Sequence, residues 1–411
     1  MRIYVTIIFA MLFFSCQKEK KVERINSSKL KVGTYRAELT VKDQKRLPFV
    51  FEVDSLNKLT IYNAEEEIIV DELKVINDSV IIKLPVFDAI IKAAVIENGN
   101  LKGYYSKGPK NIKVPFMAVY DLHFRYPITS KKHQPIAGGW EVTFSPNTPN
   151  SYKAKGIFKE EGDNKISGTF LTETGDYRFL EGAIDKGNLK LSCFDGAHAF
   201  LFDGVVKNDS ITSGMFYSGN TYSEPWVAVK NDNFELSDPN TLTYLKEGYN
   251  SVDFSFPDLD GREVSINDKR FKGKVIIVQI MGSWCPNCLD ESKYLSTYYT
   301  DRKPDNTEII ALAFEQASPH GKAAENLKRL KERLGIKYPI LIAQTGSASK
   351  KLAAEKLPML NHVLSYPTTL FIDKAGVVRK IHTGFNGPAT GKKYVDFTKE
   401  FEAFVALLAK E

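Results

Sequence analysis

Trp284-Cys285-Pro286-Asn287-Cys288 constrains this chain more than any other stretch. Two thiols three positions apart can close a small disulfide loop at the start of a helix. The flanks supply that setting. Lys274 to Met281 reads as a buried strand, Gly282-Ser283 turns the chain, and a helix is predicted from Pro286 to about Tyr299. A strand feeding Cys-x-x-Cys at a helix N-terminus is the context in which the motif means dithiol–disulfide exchange.

The reactive form of a thiol is its thiolate, and a free cysteine has a pKa of roughly 8.5. A helix N-terminus presents unpaired N–H groups and the positive end of the dipole, which favour an anion there. Cys285, first in the motif and expected to be the more exposed, is the candidate attacking nucleophile. Cys288, one turn on and more buried, is the candidate resolving thiol that breaks a mixed disulfide. Pro286 suits the first helical turn, where its missing N–H would be unpaired anyway. Two blander readings compete, a structural disulfide and half of a zinc site. A zinc site needs a second Cys or His pair, and the sequence has no other Cys-x-x-Cys and no histidines three to five residues apart. Only four cysteines occur, Cys16, Cys193, Cys285 and Cys288, too few pairs for a disulfide scaffold. Cys193, in a strand-like segment, is expected to be a small buried apolar residue, with a third redox partner as the alternative.

The N-terminus has the form of a targeting segment. Arg2 precedes the almost wholly apolar run Ile3 to Phe14, followed by Ser15-Cys16. That run falls short of the about 20 residues that span a bilayer and fits the core of a secretory signal. A small residue before a cysteine resembles a bacterial lipoprotein cleavage site. On that reading residues 1–15 are a signal peptide, Cys16 is lipidated, and 16–29 form a charged tether to the membrane. Phe13 and Phe14 depart from the pattern, and ordinary cleavage to a soluble product is the alternative. Either way export is expected. The net charge of +6 is spread along the chain, which makes no case for nucleic acid.

The remaining chain divides into an all-β part and an α/β part. Residues 30 to 231 show short alternating runs, such as Tyr35 to Val41 and Pro48 to Val53, parted by turn signals such as Asn77-Asp78-Ser79. A duplication is visible. Gly33-Thr34-Tyr35 recurs as Gly138-Gly139-Trp140, Leu84 to Asp88 as Leu191 to Asp195, and Pro115 to Val119 as Pro225 to Val229. The offsets are 105, 107 and 110 (140−35, 194−87, 225−115). Two similar β units, 30–127 and 128–231, are the natural reading, either as two small barrels or as two halves of a larger one. Their aromatics, including Phe87, Tyr104, Tyr105, Phe194, Phe216 and Tyr217, are expected in the core, with a ligand cavity as the alternative. His123, His133 and His198 stand apart from any metal or triad spacing. A polar connector at 232–250, with a helical piece from Pro239 to Lys246, leads to alternating strands and helices from 251 to 411. Such alternation predicts a central sheet covered on both faces.

Residues 254–411 resemble the TlpA-type, thioredoxin-like thiol-disulfide oxidoreductases of bacterial envelopes. The resemblance is carried by Gly273-Lys274, by Trp284-Cys285-Pro286-Asn287-Cys288, and by Tyr366-Pro367-Thr368-Thr369-Leu370-Phe371-Ile372-Asp373. It implies a cis-proline at Pro367 facing the dithiol, with no N–H to hinder an incoming chain. It implies that Glu291 matches an acid placed beneath the active site, where burial would raise its pKa and let it shuttle the Cys288 proton. Asp290 beside it suggests that the same helix also carries solvent-facing acids, so an exposed Glu291 is the competing reading. Trp284 is expected to pack over the site. The implied activity is reduction of protein disulfides, recharged by an envelope electron donor, with no metal or organic cofactor. Pro-Asn between the cysteines departs from the familiar Pro-Pro or Glu-Pro, and Gln279 stands where asparagine is frequent, which leaves the redox direction open. The stretch Ala343 to Leu364, with a helix at Ser347 to Leu357, exceeds a minimal thioredoxin and is expected to shape access. Two rivals stand beside this reading. A thiol peroxidase would need a Pro-x3-Thr-x2-Cys setting that is missing. An envelope binding protein would use the redox unit as a switch.

Overall fold

The computed structural model describes residues 30–108, 112–130 and 134–411. The leader at 1–15 and the tether at 16–29, Cys16 included, lie outside the described residues, as does His133.

Nine strands between Gly33 and Tyr120 form an antiparallel meander whose last member, Val114–Tyr120, returns to pair with the first, Gly33–Thr40. Strands Glu66–Val70 and Glu72–Ile76 do not bond each other and are separated by Asp71 alone. Taken as one bent strand, they complete an eight-membered ring. The second region, from Gly138 to Lys230, repeats the plan and closes fully. Tyr152–Glu160 pairs with Lys165–Thr172, and Gly138–Phe144 pairs with Tyr222–Lys230. Of the two arrangements open to the sequence, two barrels form. Strands such as Leu59–Asn63 alternate buried and half-buried residues, one face turned to the core. The repeated aromatic has one job in both rings. Tyr35 donates its hydroxyl to the Lys31 carbonyl at 3.2 Å, and Trp140 donates Nε1 to the Ile136 carbonyl at 2.8 Å. Both side chains are fully buried, and each closes an otherwise polar end four residues upstream.

The barrels are welded along one side. Phe194, from the second copy of the repeated segment, packs between Phe49 (4.5 Å between ring centres, tilted) and Tyr105 (5.1 Å, edge-on) of the first barrel. Asn63 donates to the Phe194 carbonyl at 3.0 Å and accepts its N–H at 3.2 Å. The buried Arg125 guanidinium donates to Ser192 and to the carbonyls of Tyr62 and Pro48. Phe216, by contrast, lies inside the second barrel among Phe144, Phe202 and Tyr177, and Cys193 is wholly buried there.

The third unit has a five-stranded sheet, β1 (Val275–Met281), β2 (Thr307–Phe314), β3 (Ile340–Gln344), β4 (Thr368–Ile372) and β5 (Val378–Thr383). Its order is β3-β2-β1-β4-β5, with β1, β2 and β3 parallel and β4 and β5 antiparallel. Every residue of β1 is buried, as expected of a central strand covered on both faces. The helices are α1 (Pro286–Asp301), α2 (His320–Leu334), α3 (Lys350–Lys356) and α4 (Lys392–Lys410). This is the thioredoxin-like arrangement, and the all-β region precedes it.

The connector differs from expectation. Its helix is a single turn, Pro239–Leu242, capped by the Asp238 side chain. Thr243 is extended because the next residues pair with the third unit. Leu245 bridges Leu360, and Tyr244 exchanges two bonds with Asn361. The segment after α3 thus serves as a seat for the connector.

Candidate active site

β1 delivers the chain to Gly282, where a Cβ would lie 2.4 Å from Trp284 Nε1. Only glycine lets the indole fold back there. Trp284 then donates Nε1 to the Phe314 carbonyl at 2.9 Å and meets the Tyr366 ring edge-on at 5.4 Å. Cys285 is the N-cap of α1 with extended backbone. Its Sγ accepts the Cys288 N–H at 3.3 Å, and Pro286 occupies the first helical turn. Both cysteines are free thiols. Cys285 Sγ donates to the Tyr366 carbonyl at 3.4 Å, and the Tyr366–Pro367 bond is cis. Cys288 is fully buried, and burial pushes its thiol well above the ordinary range.

Glu291 lies one turn further along α1 and is 1% exposed. Its carboxylate accepts from Gln279 Nε2 at 2.8 Å and Thr369 Oγ1 at 2.7 Å, side chains that face each other across the β1–β4 register. Burial pushes its pKa up to about 7, against the two hydrogen bonds. Gln279, the family departure, is therefore this carboxyl's partner, and it accepts in turn from Ser292 Oγ at 3.1 Å.

Three features escaped the sequence reading. Glu315, just past β2, is buried and holds the turn before the dithiol. It accepts Ser283 N–H at 2.7 Å and Ser283 Oγ at 2.6 Å, and its own pKa is raised by burial. The second is a loop of the second barrel, Thr172 to Arg178, laid across the motif. Asn287 Nδ2 donates to the Asp176 carbonyl at 3.1 Å, and Ser365 Oγ to the Thr174 carbonyl at 2.7 Å. Gly387 N–H donates to Asp176 Oδ2 at 2.5 Å. Gly175 makes this approach possible. Its φ is +133°, and a Cβ would stand 2.1 Å from Asn287 Nδ2. The third is Arg178, whose buried guanidinium pairs with Asp290 of α1, Glu66 of the first barrel and, at 3.5 Å, Asp195 of the second.

These contacts correct two expectations. Asp290 does not face solvent; it is 8% exposed because Arg178 covers it. Cys285 is the more accessible thiol, but it too is only 8% exposed. It opens instead into a cleft of about 900 Å³ walled by both barrels and the third unit. Phe87 and Tyr105 line that cleft, as does His198, which is not isolated but bonds Asp195 at 3.1 Å. His123 sits at the surface beside Asp121. On the far side, α2 is tied to the first barrel. Arg333 forms a two-bond pair with Asp71 at 2.6 and 2.7 Å, and Arg329 reaches Glu72 and the Leu84 carbonyl at 2.6 Å each.

Known proteins similar to this chain match its third unit. The family model described as the AhpC/TSA family matches residues 248–381, leaving both barrels outside. The thiol-disulfide oxidoreductase ResA of Geobacillus thermodenitrificans is 30% identical over 142 residues, 34% of this chain and 72% of that protein. The thioredoxin-like protein YneN of Bacillus subtilis is 27% identical over 140 residues, 34% of this chain and 73% of that protein. Among solved structures, a thiol-disulfide oxidoreductase from Bacteroides fragilis matches at 18% identity and a TM-score of 0.27, covering 36% of this chain and 99% of that one.

Proposed function

The chain belongs to the thioredoxin-like thiol-disulfide oxidoreductases of the AhpC/TSA family, and from that premise we propose that it is an exported reductase of protein disulfides in the bacterial envelope. The observation that carries the reading is the asymmetry of the pair. Cys285 caps α1 and opens to the cleft, whereas Cys288 is sealed beneath it. Cys285 as thiolate attacks one sulfur of the substrate disulfide, and the other sulfur leaves as a thiolate that takes up a proton. Cys288 then gives up its proton and attacks Cys285 Sγ, which releases the second substrate thiol and leaves a Cys285–Cys288 disulfide. Two electrons and two protons pass to the substrate. A dithiol donor of the envelope returns them.

Glu291 acts on the second step without touching sulfur. With a pKa of about 7 it is half-ionised near neutrality and can accept, through one bridging water, the proton that Cys288 releases. Pro367 presents the Tyr366 carbonyl beside Cys285, and Trp284 covers the approach from the β2 side. Cys16 as a lipidated residue and residues 1–15 as its signal remain part of the proposal, placing the protein at the membrane on the periplasmic side.

Equilibration of the pair in dithiothreitol or glutathione buffers tests the direction. A potential near that of thioredoxin, about −270 mV, supports a reductase, and one near −120 mV makes the protein an oxidant. A binding protein with a redox switch would keep its partner when both cysteines are replaced by serine, whereas the enzyme loses all turnover.

A further inference from the structure

The wall around Cys285 is built mostly from chain that no thiol exchange needs. Tyr105 and Lys107 come from the first barrel, His198 and Ser218 from the second, and Ser347 and Tyr366 from the third unit. We propose that the barrels form a fixed hood that makes this cleft a substrate compartment, and that its substrate is a low-molecular-weight disulfide of short-peptide size. The proposal rests on the disulfide-reductase chemistry of that reading and puts short-peptide disulfides in the place of protein disulfides as its substrate.

Bond formation brings the substrate sulfur to about 2 Å from Cys285 Sγ, so the substrate must enter the cleft rather than rest on its rim. About 900 Å³ lies within the roughly 300–1,000 Å³ range of small-molecule sites. A folded partner instead needs about 800 Å² of matching surface on each side, and the barrels stand where that surface would have to sit.

The hood is pinned at both edges by buried or paired groups. Arg178 joins three acids from three units, and the Thr172 to Arg178 loop is bonded to Asn287, Ser365 and Gly387. Arg329 and Arg333 pin the opposite edge to α2. Opening would strip a buried guanidinium of its partners, which is strongly unfavourable.

Ser218, Ser347, Tyr105, Tyr366 and Lys107, whose ammonium donates to the Ala197 carbonyl, all line the cleft. That mixture suits the amides and carboxylate of a short peptide. The exchange balances as above, with the peptide disulfide leaving as two thiols and Cys285–Cys288 left oxidised.

The test uses the full chain with a dithiol donor and three substrates carrying one disulfide sequence. These are a free hexapeptide pair, the same sequence in an unfolded tail of a carrier protein, and a surface disulfide of a folded domain. The free peptide is expected to exceed both others by at least about tenfold in kcat/KM. Equal reduction of either macromolecular substrate would overturn the compartment while leaving the reductase intact. Reduction of none of the three would remove the reductase reading and the inference with it. Ser218→Trp, or Ser347→Trp should the first fail to fold, fills the cleft. Either is expected to slow peptide reduction by about tenfold with the Cys285–Cys288 potential unchanged, and undiminished peptide turnover in a folded variant would count against the proposal.

Discussion

Replacing Glu291 with glutamine isolates the energetics of the buried acid. The side chain keeps its length, and Thr369 can turn its hydroxyl to suit an amide. In the native protein the carboxyl titrates at about 7, against an ordinary 4.5. At 1.36 kcal/mol per pH unit, that gap is a preference for the neutral form of about 3 kcal/mol. A raised folded-state pKa gives a stabilisation fully present below pH 4.5 and lost as pH climbs through about 7. The native protein is therefore expected to lose about 2.5 kcal/mol relative to Glu291→Gln between pH 5 and pH 8. Urea denaturation of both reduced proteins at the two pH values measures this difference. Infrared titration of the protonated-carboxyl band, absent from the variant, locates the midpoint directly. A midpoint near 4.5, or a stability difference that stays constant with pH, would refute the desolvation argument.

Other substitutions probe the rest of the site. Cys288→Ser should stop turnover after one attack and accumulate a Cys285–substrate adduct visible by mass spectrometry, whereas Cys285→Ser should form none. Arg178→Met leaves Asp290, Glu66 and Asp195 buried without their cation and should cost roughly 3–5 kcal/mol in denaturant unfolding; Asp290→Asn in the same background should recover part of that loss. Gly175→Ala forces a Cβ against Asn287 and should cost about 1–3 kcal/mol, read as a lower melting temperature together with faster alkylation of Cys285. Glu315→Gln should loosen the turn at Ser283 by about 1–2 kcal/mol, detected as faster hydrogen exchange at Ser283 and Trp284.

What the sequence made legible was local or periodic. The strand, the motif and α1 are contiguous, so hydrophobic runs and Pro286 were enough to place them. The duplication showed because both barrels need an aromatic such as Tyr35 or Trp140 at the same corner. Whether one ring or two would close was not legible, because closure depends on pairing Gly138–Phe144 with a strand more than 80 residues away. The connector stopped short of its expected helix because Asn361, far downstream, captures Tyr244. The largest surprise came from a single contact between units. Asn287 looked like a variation in redox tuning, yet its amide is spent on a backbone carbonyl 111 residues upstream. Asp290 read as a surface acid on a helix pattern that could not reveal Arg178.

Arg178 leaves the redox unit electrostatically incomplete by itself. The charge two positions past Cys288 is neutralised by a group that reaches α1 from an earlier barrel. A truncated protein beginning at the connector would keep every residue of the dithiol motif and still present Asp290 as a bare acid, with Lys293 beside it. Water would replace the guanidinium along the helix flank, and Asn287 would turn its amide outward. The thiol acidity, potential and substrate range measured on such a fragment would describe a different molecule from the one encoded by the full chain.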